Sequence, residues 1–163
     1  MPARKAAKRG NARGPRPPAF TFGRQKYNAQ KTVYKGETYP SKSEAAWAEV
    51  LDRDPVVFEV VRQPRFVLGT EPDGTPHTYR PDFLVILNPF EPLGAYLGQI
   101  VAATGLAFCA DEVKGAETPE FKKNRQAWLA NGRMALRIIK RGKVVEVLIP
   151  DRFVESKDED SKV

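Results

Sequence analysis

Tyr79-Arg80-Pro81-Asp82-Phe83-Leu84-Val85-Ile86-Leu87 and Ala107-Phe108-Cys109-Ala110-Asp111-Glu112-Val113-Lys114-Gly115 are the two stretches on which the fold turns. The first is an apolar, β-branched run closed by Asn88-Pro89, and it predicts a strand over 79–87 with Pro81-Asp82 inside it. The second predicts a buried strand over 107–113. Upstream, 56–61 predicts a further strand that 65–68 extends beyond Pro64, and Glu71-Pro72-Asp73-Gly74-Thr75-Pro76 predicts a turn. Residues 41–51 predict a helix that ends before Pro55, and Tyr34-Lys35-Gly36-Glu37-Thr38 a small strand, turn and strand. Downstream, Thr118 as N-cap and Pro119 in the first turn open a helix that Asn131-Gly132 closes. Two strands follow over 135–139 and 144–149, joined through Lys140-Arg141-Gly142-Lys143. Helix, three strands, helix and two strands make an α/β chain, α-β-β-β-α-β-β, with a mixed central sheet flanked by helices.

Between the two deciding strands, Pro92 to Ala110 carries no charge over 19 residues. Pro92, Gly94, Gly98, Gln99, Thr104 and Gly105 dilute its hydrophobicity, and no second span follows, so it does not read as a membrane segment. Leu93, Leu97, Ile100 and Val101 form one stripe of a short helix. The insertion, about 88–106, suits a lid, a piece of core or a dimer surface.

The chain has 163 residues, room for one domain at 27–150. Its charge is unevenly placed. Residues 1–26 hold Arg4, Lys5, Lys8, Arg9, Arg13, Arg16, Arg24 and Lys26 with no acid, leaving 19 basic and 20 acidic residues elsewhere. Such an arm, also rich in Gly, Ala and Pro, is expected to be disordered when free and to bind phosphates by counterion release; a merely solubilising extension is the plainer alternative. Residues 151–163 form an acidic, frayed tail. A single cysteine, Cys109, excludes an internal disulfide, and with a single histidine, His77, it cannot build a Cys/His zinc site. The same scarcity argues against Ser-His-Asp and Cys-His catalysis. The first residues are basic and Pro-rich with no apolar run, which points to an intracellular, cytoplasmic protein. Hydrolytic chemistry here must use carboxylates, lysine and an oxygen-loving metal.

Side chains alternate along a strand, so Glu112 and Lys114 share one face, roughly 6.6 Å apart, while Asp111 points the other way. Carboxylates at adjacent strand ends hold Mg²⁺ through hard oxygens, with Mn²⁺ as a natural substitute. The metal supplies an activated water and polarises a phosphoryl oxygen, and a neighbouring lysine orients that water or stabilises developing charge. Without a cation the acids would repel one another and take up protons. Glu44 lies on the inward stripe of the first helix, whereas Glu49 is about 140° around it. Glu44 also completes a capping box with Ser41, reaching back to its N–H, and on this segment alone the two roles are equally open. Trp47 and Trp128 fall at core spacing, Cys109 reads as a small buried residue, and His77 as a hydrogen-bonded loop residue. Arg80 shares the parity of Asp82, as a site residue or an ion-pair partner. Lys122 and Lys123, with Arg125, follow the second deciding strand on a helix whose first turns face a scissile phosphate or simply solvent.

Pro81-Asp82, then Glu112-Val113-Lys114, with an acid on a preceding helix, resembles the PD-(D/E)xK nuclease superfamily and its restriction-endonuclease-like core. The wider run, Lys26-Tyr27-Asn28 through Gly36, Ser41 and Glu44, then Arg62-Gln63-Pro64-Arg65-Phe66 and Tyr79-Arg80-Pro81-Asp82-Phe83, is similar to a small phage-associated branch of that superfamily described only as a domain of unknown function. It also resembles phage endonuclease I and archaeal Holliday-junction resolvases, which are small, basic and dimeric. The resemblance spans about residues 26–149. It implies Asp82 and Glu112 as metal ligands, the Val113 carbonyl as a third, Lys114 as the catalytic lysine, Glu44 as the helix carboxylate, catalytic and joining the metal, and Gln63 as a polar site residue. It further implies a Mg²⁺-dependent, structure-selective DNA endonuclease, a homodimeric resolvase of four-way junctions used in recombination and repair, with the insertion as part of the dimer contact. DNA contacts fall to the basic arm and to Lys122 and Lys123. The alternatives are another nuclease on this fold (nicking, restriction, transposon-end or repair) and a DNA-binding protein that does not cut. The 30 residues separating Asp82 from Glu112 exceed what a simple hairpin needs, so substrate shape does not carry over from known resolvases.

Overall fold

Two short hairpins and a five-stranded sheet account for all the strands in the computed structural model, which describes residues 30–154. The basic residues Arg4, Lys5, Lys8, Arg9, Arg13 and Arg16 and the segment 155–163 lie outside the described residues. Strands β1 (Thr32–Tyr34) and β2 (Glu37–Tyr39) pair around Lys35 and Gly36, both at positive φ, the backbone that a two-residue hairpin turn demands. Helix α1 (Lys42–Arg53) follows, capped by Ser41, whose hydroxyl accepts from the Glu44 amide.

The central sheet comprises β3 (Val57–Arg62), β6 (Phe83–Leu87), β7 (Phe108–Val113), β8 (Leu136–Lys140) and β9 (Lys143–Leu148), side by side in that order. The first three are antiparallel, β7 and β8 are parallel, and β8 and β9 close with a hairpin through Arg141 and Gly142. Only a crossover can join parallel neighbours, and α3 (Pro119–Asn131) supplies it. Its Thr118 cap, the Pro in its first turn and its end at Gly132 are as the sequence predicts. Gly132 is needed for space: a Cβ there would sit 2.4 Å from the Trp128 carbonyl oxygen.

The predicted strand over 79–87 is two strands. β4 (Phe66–Thr70) and β5 (Pro76–Tyr79) form a separate hairpin, and β6 begins only at Phe83. Pro81 lacks the N–H a ladder needs, so the chain leaves one sheet and enters the next across Arg80-Pro81-Asp82. Asp82 therefore stands at the entrance of β6 and not within a strand. Likewise 65–68 does not prolong β3. Gln63 takes φ +46 and precedes Pro64, which ends β3 and turns the chain into β4. His77 lies in β5, where its ring nitrogens meet Glu71 and Asn124, not in a loop.

Alternation along β6, β7 and β8 feeds two cores, one on each face. On one face Phe83, Val85, Cys109 and Ile139 pack with Trp47, Ala48 and Leu51 of α1. The predicted apolar stripe joins them: Leu93, Leu97, Ile100 and Val101 lie in or beside α2 (Ala95–Thr104) and pack on this core. On the other face Ala110, Leu136 and Ile138 meet Phe121 and Trp128 of α3 and Tyr79 of β5. Trp128 is fully buried, donates to the Met134 carbonyl and takes Phe66 and Tyr79 edge-on. No described helix is long and apolar enough to cross a membrane.

Candidate active site

Asp82 and Glu112 come together because β6 and β7 are antiparallel neighbours: Phe83, just after Asp82, stands opposite Asp111, just before Glu112. The Asp82 carboxylate accepts from the Val113 amide at 2.7 Å, which holds it against the end of β7. Lys114 lies one residue beyond that strand, anchored by its own amide to the Ile139 carbonyl at 2.8 Å. Its ammonium forms an ion pair with Glu112 and lies 4.8 Å from the centre of the Phe121 ring. Asp82, Glu112 and Lys114 line one opening together with Tyr79, Arg80 and Asn124. Gly115 has no left-handed φ, and an added Cβ would meet open space, so the turn after Lys114 does not depend on a glycine.

Strand parity separates the two neighbouring acids. Asp111 faces the opposite side and is fully compensated. Arg137 binds it through two nitrogens at 2.6 and 2.7 Å, and the Trp47 indole donates to it at 2.8 Å. Glu112 is only 3% exposed, and its Oε2 has no hydrogen-bond partner. Among the described residues one other buried side-chain atom shares that condition, the Tyr79 hydroxyl, which lines the same opening. Burial, and then the Glu112 charge, raise the Tyr79 phenol above its ordinary range. Burial and the neighbouring Glu112 and Glu44 push Asp82 up to about 8, against which the Val113 amide works only in part.

Glu44 stands on the other side of Lys114, in an opening that also includes Ser41, Val113 and Thr118. Its carboxylate accepts from the Ser41 hydroxyl at 2.9 Å, so the reciprocal cap uses that hydroxyl where the sequence suggested the Ser41 N–H. Burial, and after it the Glu112 charge, raise its pKa; Ser41, Arg62 and Lys114 pull the other way. Glu44 therefore shares the field of the Asp82–Glu112 pair. Among the described residues, however, no three Asp, Glu, His or Cys side chains form a metal cage by themselves.

The donor set still fits a hard divalent cation. Mg²⁺ commonly uses one or two carboxylates and keeps several waters. Here two carboxylates line one opening, and one of them leaves a buried oxygen unpartnered. A cation would satisfy that oxygen and offset the burial and the neighbouring charges that raise the Asp82 pKa.

Gln63 donates its amide to the Asp82 carbonyl at 2.8 Å, and its side chain accepts from Arg80 at 3.3 Å. This pair gives Arg80 a polar partner and not an ionic one. Lys123 is tied to Glu71 at 2.7 Å, whereas Lys122 is exposed. Tyr79 is the site residue that sequence reasoning missed. Its place in the motif before Pro81-Asp82 was visible, but its hydroxyl acquires meaning only when the fold brings the β4–β5 hairpin to the opening that Glu112 lines. A wide cleft between the β1–β2 hairpin, α1 and β3 contains none of these acids; its Asp52 is already bonded to Tyr34 and Lys35. No protein-family model, curated protein or solved structure matches the chain.

Proposed function

We propose that this chain is a metal-dependent DNA endonuclease with a restriction-endonuclease-like core, acting as a homodimeric resolvase on four-way junctions. The observation that carries the reading is the Asp82–Glu112 pair with Lys114 beside it, at the open end of β7, with one buried carboxylate oxygen unpartnered. Three antiparallel strands followed by a helical crossover into a parallel strand support the same reading.

Asp82 and Glu112, with the Val113 carbonyl beside them, would hold Mg²⁺ or Mn²⁺. Bound there, the cation supplies Lewis acidity that activates a water and neutralises the phosphate. Lys114 does the remaining work at the reacting centre. Its ammonium donates to the attacking water or to a phosphoryl oxygen as charge builds, from a site largely shielded from bulk water. Hydrolysis then adds water across the phosphodiester, leaving a 5′-phosphate and a 3′-hydroxyl. Glu44 acts from the far side of Lys114, setting the local field and accepting hydrogen bonds. Arg80 and Gln63 lie where the strand leaving Asp82 would pass. The basic arm, at residues 1–26, would grip junction arms. Phe90 and Tyr96, exposed around α2, offer apolar surface for the partner copy.

Cleavage of a four-way junction, a linear duplex, a nicked circle and a single strand in Mg²⁺ tests this, with wild type beside Asp82→Asn. Junction cutting that Asp82→Asn abolishes is the expected result. Sequence-specific cutting of linear duplex would replace the resolvase by another nuclease on this fold. Absence of metal-dependent cutting on every substrate would leave a DNA-binding protein and overturn the enzyme.

A further inference from the structure

Helix α3 starts beside Lys114 and ends at a second cleft that the site above does not use. Two adjoining openings there share Val67, Leu68, Asn131 and Arg133, and bring Arg65 and Arg152 to their rims. Three separate elements converge: Arg65 precedes β4, Arg133 follows the C-terminus of α3, and Arg152 lies in a short 3-10 turn, Asp151–Phe153. All three arginines are exposed, and among the described residues none of them forms a salt bridge. Three other cations are paired, Arg62 with Glu37, Lys123 with Glu71 and Arg125 with Glu146, whereas Lys122 on the same helix is, like the three arginines, without a salt bridge among the described residues. The β4–β5 ladder also shifts register between Val67 and Thr70, so β5 does not claim the backbone at Leu68 and Gly69.

Past its first turn α3 itself contributes no acid to the ground between cleft and acidic site, and the Glu71 carboxylate that borders it is paired with Lys123. Past Glu120, the outward residues of α3 are Lys122, Lys123, Gln126, Ala130 and Asn131. Arginine forks suit phosphate oxygens, and unpaired cations around a concave surface suit a polyanion. A helix of 13 residues is about 20 Å long. At 3.4 Å per nucleotide this is roughly six nucleotides of duplex.

We propose that Arg65, Arg133 and Arg152 form a second docking surface for the DNA phosphate backbone, one α3 length from Asp82 and Glu112. The inference rests on the nuclease reading and adds to it the path of the duplex, which runs along α3 away from the cut. The phosphates held there lie about six nucleotides from the scissile one.

Binding of a labelled four-way junction by the full chain, in EDTA so that nothing is cut, gives the test over a series of KCl concentrations. Wild type is compared with Arg65→Gln/Arg133→Gln/Arg152→Gln and with each single variant. Each arginine removed from a phosphate should lower the slope of log K against log salt by about 0.9, and the triple variant by up to about 2.7. Junctions with the arm beside the cut trimmed below about six base pairs should show no difference between the two proteins. Equal slopes for wild type and the triple variant, with wild type binding well, overturn this surface and leave the nuclease reading intact. Wild type that shows no salt-dependent DNA binding overturns both. A difference that emerges only after residues 155–163 are removed would assign the cleft to the chain's own acidic end and overturn its assignment to DNA.

Discussion

Replacing Asp82 by Asn should stabilise the metal-free protein, although it removes a group that the proposed chemistry cannot do without. Asp82 is held at about 8, against about 4 in an unfolded chain, by burial and by the charges of Glu112 and Glu44. The sign follows from proton binding. Between the two values the folded state holds a proton that the unfolded state has released, so stability falls as pH rises from about 4 to about 8. At pH 7 this penalty is at most about 4 kcal/mol, taking about 1.4 kcal/mol per pH unit. Asn carries no charge to desolvate and still accepts from the Val113 amide, though more weakly by about 1 kcal/mol. A net gain of about 2–3 kcal/mol corresponds to a rise of about 6–12 °C in the unfolding midpoint of a domain this size. Thermal unfolding in EDTA at pH 7 and at pH 4 measures it, and the difference should disappear at pH 4. Added Mg²⁺ should reverse the order. Wild type gains about 2.7 kcal/mol at a hundredfold excess over its dissociation constant, and Asp82→Asn gains little. Calorimetry in two buffers should also show wild type releasing close to one proton as Mg²⁺ binds near pH 7. A metal-free midpoint for Asp82→Asn at or below that of wild type at pH 7 would refute the crowding of acids on which the site is built.

Three further substitutions separate roles that crowd into the same few residues. Lys114→Met should cut the cleavage rate by about 100-fold or more while Mn²⁺ binding by calorimetry persists, because the ammonium competes for Glu112 and does not build the metal site; loss of binding together with rate would contradict that division. Asp111→Ala should cost about 3–5 kcal/mol in chemical denaturation, since it strands the buried Arg137, and Mg²⁺ should not restore the loss. Tyr79→Phe should leave metal-free stability within about 1 kcal/mol of wild type, because the hydroxyl it removes has no hydrogen-bond partner; a larger loss would show that the phenol is bonded in the folded protein.

Much of this arrangement was legible from spacing alone. The existence of the five central strands, the Thr118 cap, the apolar stripe of α2 and the opposed directions of Asp111 and Glu112 all follow from local rules of period and capping. What escaped was the break between 79 and 83. An apolar, β-branched run looks the same whether its strand belongs to one sheet or passes between two, and Pro81 shows which only when the partner strands are known. The β4–β5 hairpin escaped for the same reason, since Gln63 at positive φ is a backbone choice that a glutamine does not advertise. The orphaned Tyr79 hydroxyl and the arginines beyond α3 join residues distant in sequence, so no local pattern could pair them. The basic arm, the loudest charge signal in the chain, lies outside the described residues.

Asp111 and Glu112 make the strongest physical argument for a cation site, because they are consecutive, both buried and differently served. Asp111 has five-donor Arg137 across the sheet and the Trp47 indole, and its charge is answered within the fold. Glu112 has Lys114, whose flexible stem leads to a half-buried ammonium, and an oxygen without a hydrogen-bond partner, with the Tyr79 phenol as a polar neighbour in the same opening. Native proteins rarely leave a buried acceptor unpaired, and doing so costs about 1–3 kcal/mol, more for a charged group. The same sheet shows that this chain can provide an arginine where a buried carboxylate needs one. That it provides none to Glu112, and instead brings Asp82 beside it although this raises that acid's pKa, makes sense if the pair's positive partner arrives from solution. A structural role predicts that Glu112→Gln, which keeps the shape and abolishes the charge, will remove the metal-free instability and change nothing else. A site predicts that the same variant will also lose Mg²⁺-dependent stabilisation, and thermal unfolding with and without Mg²⁺ decides between them.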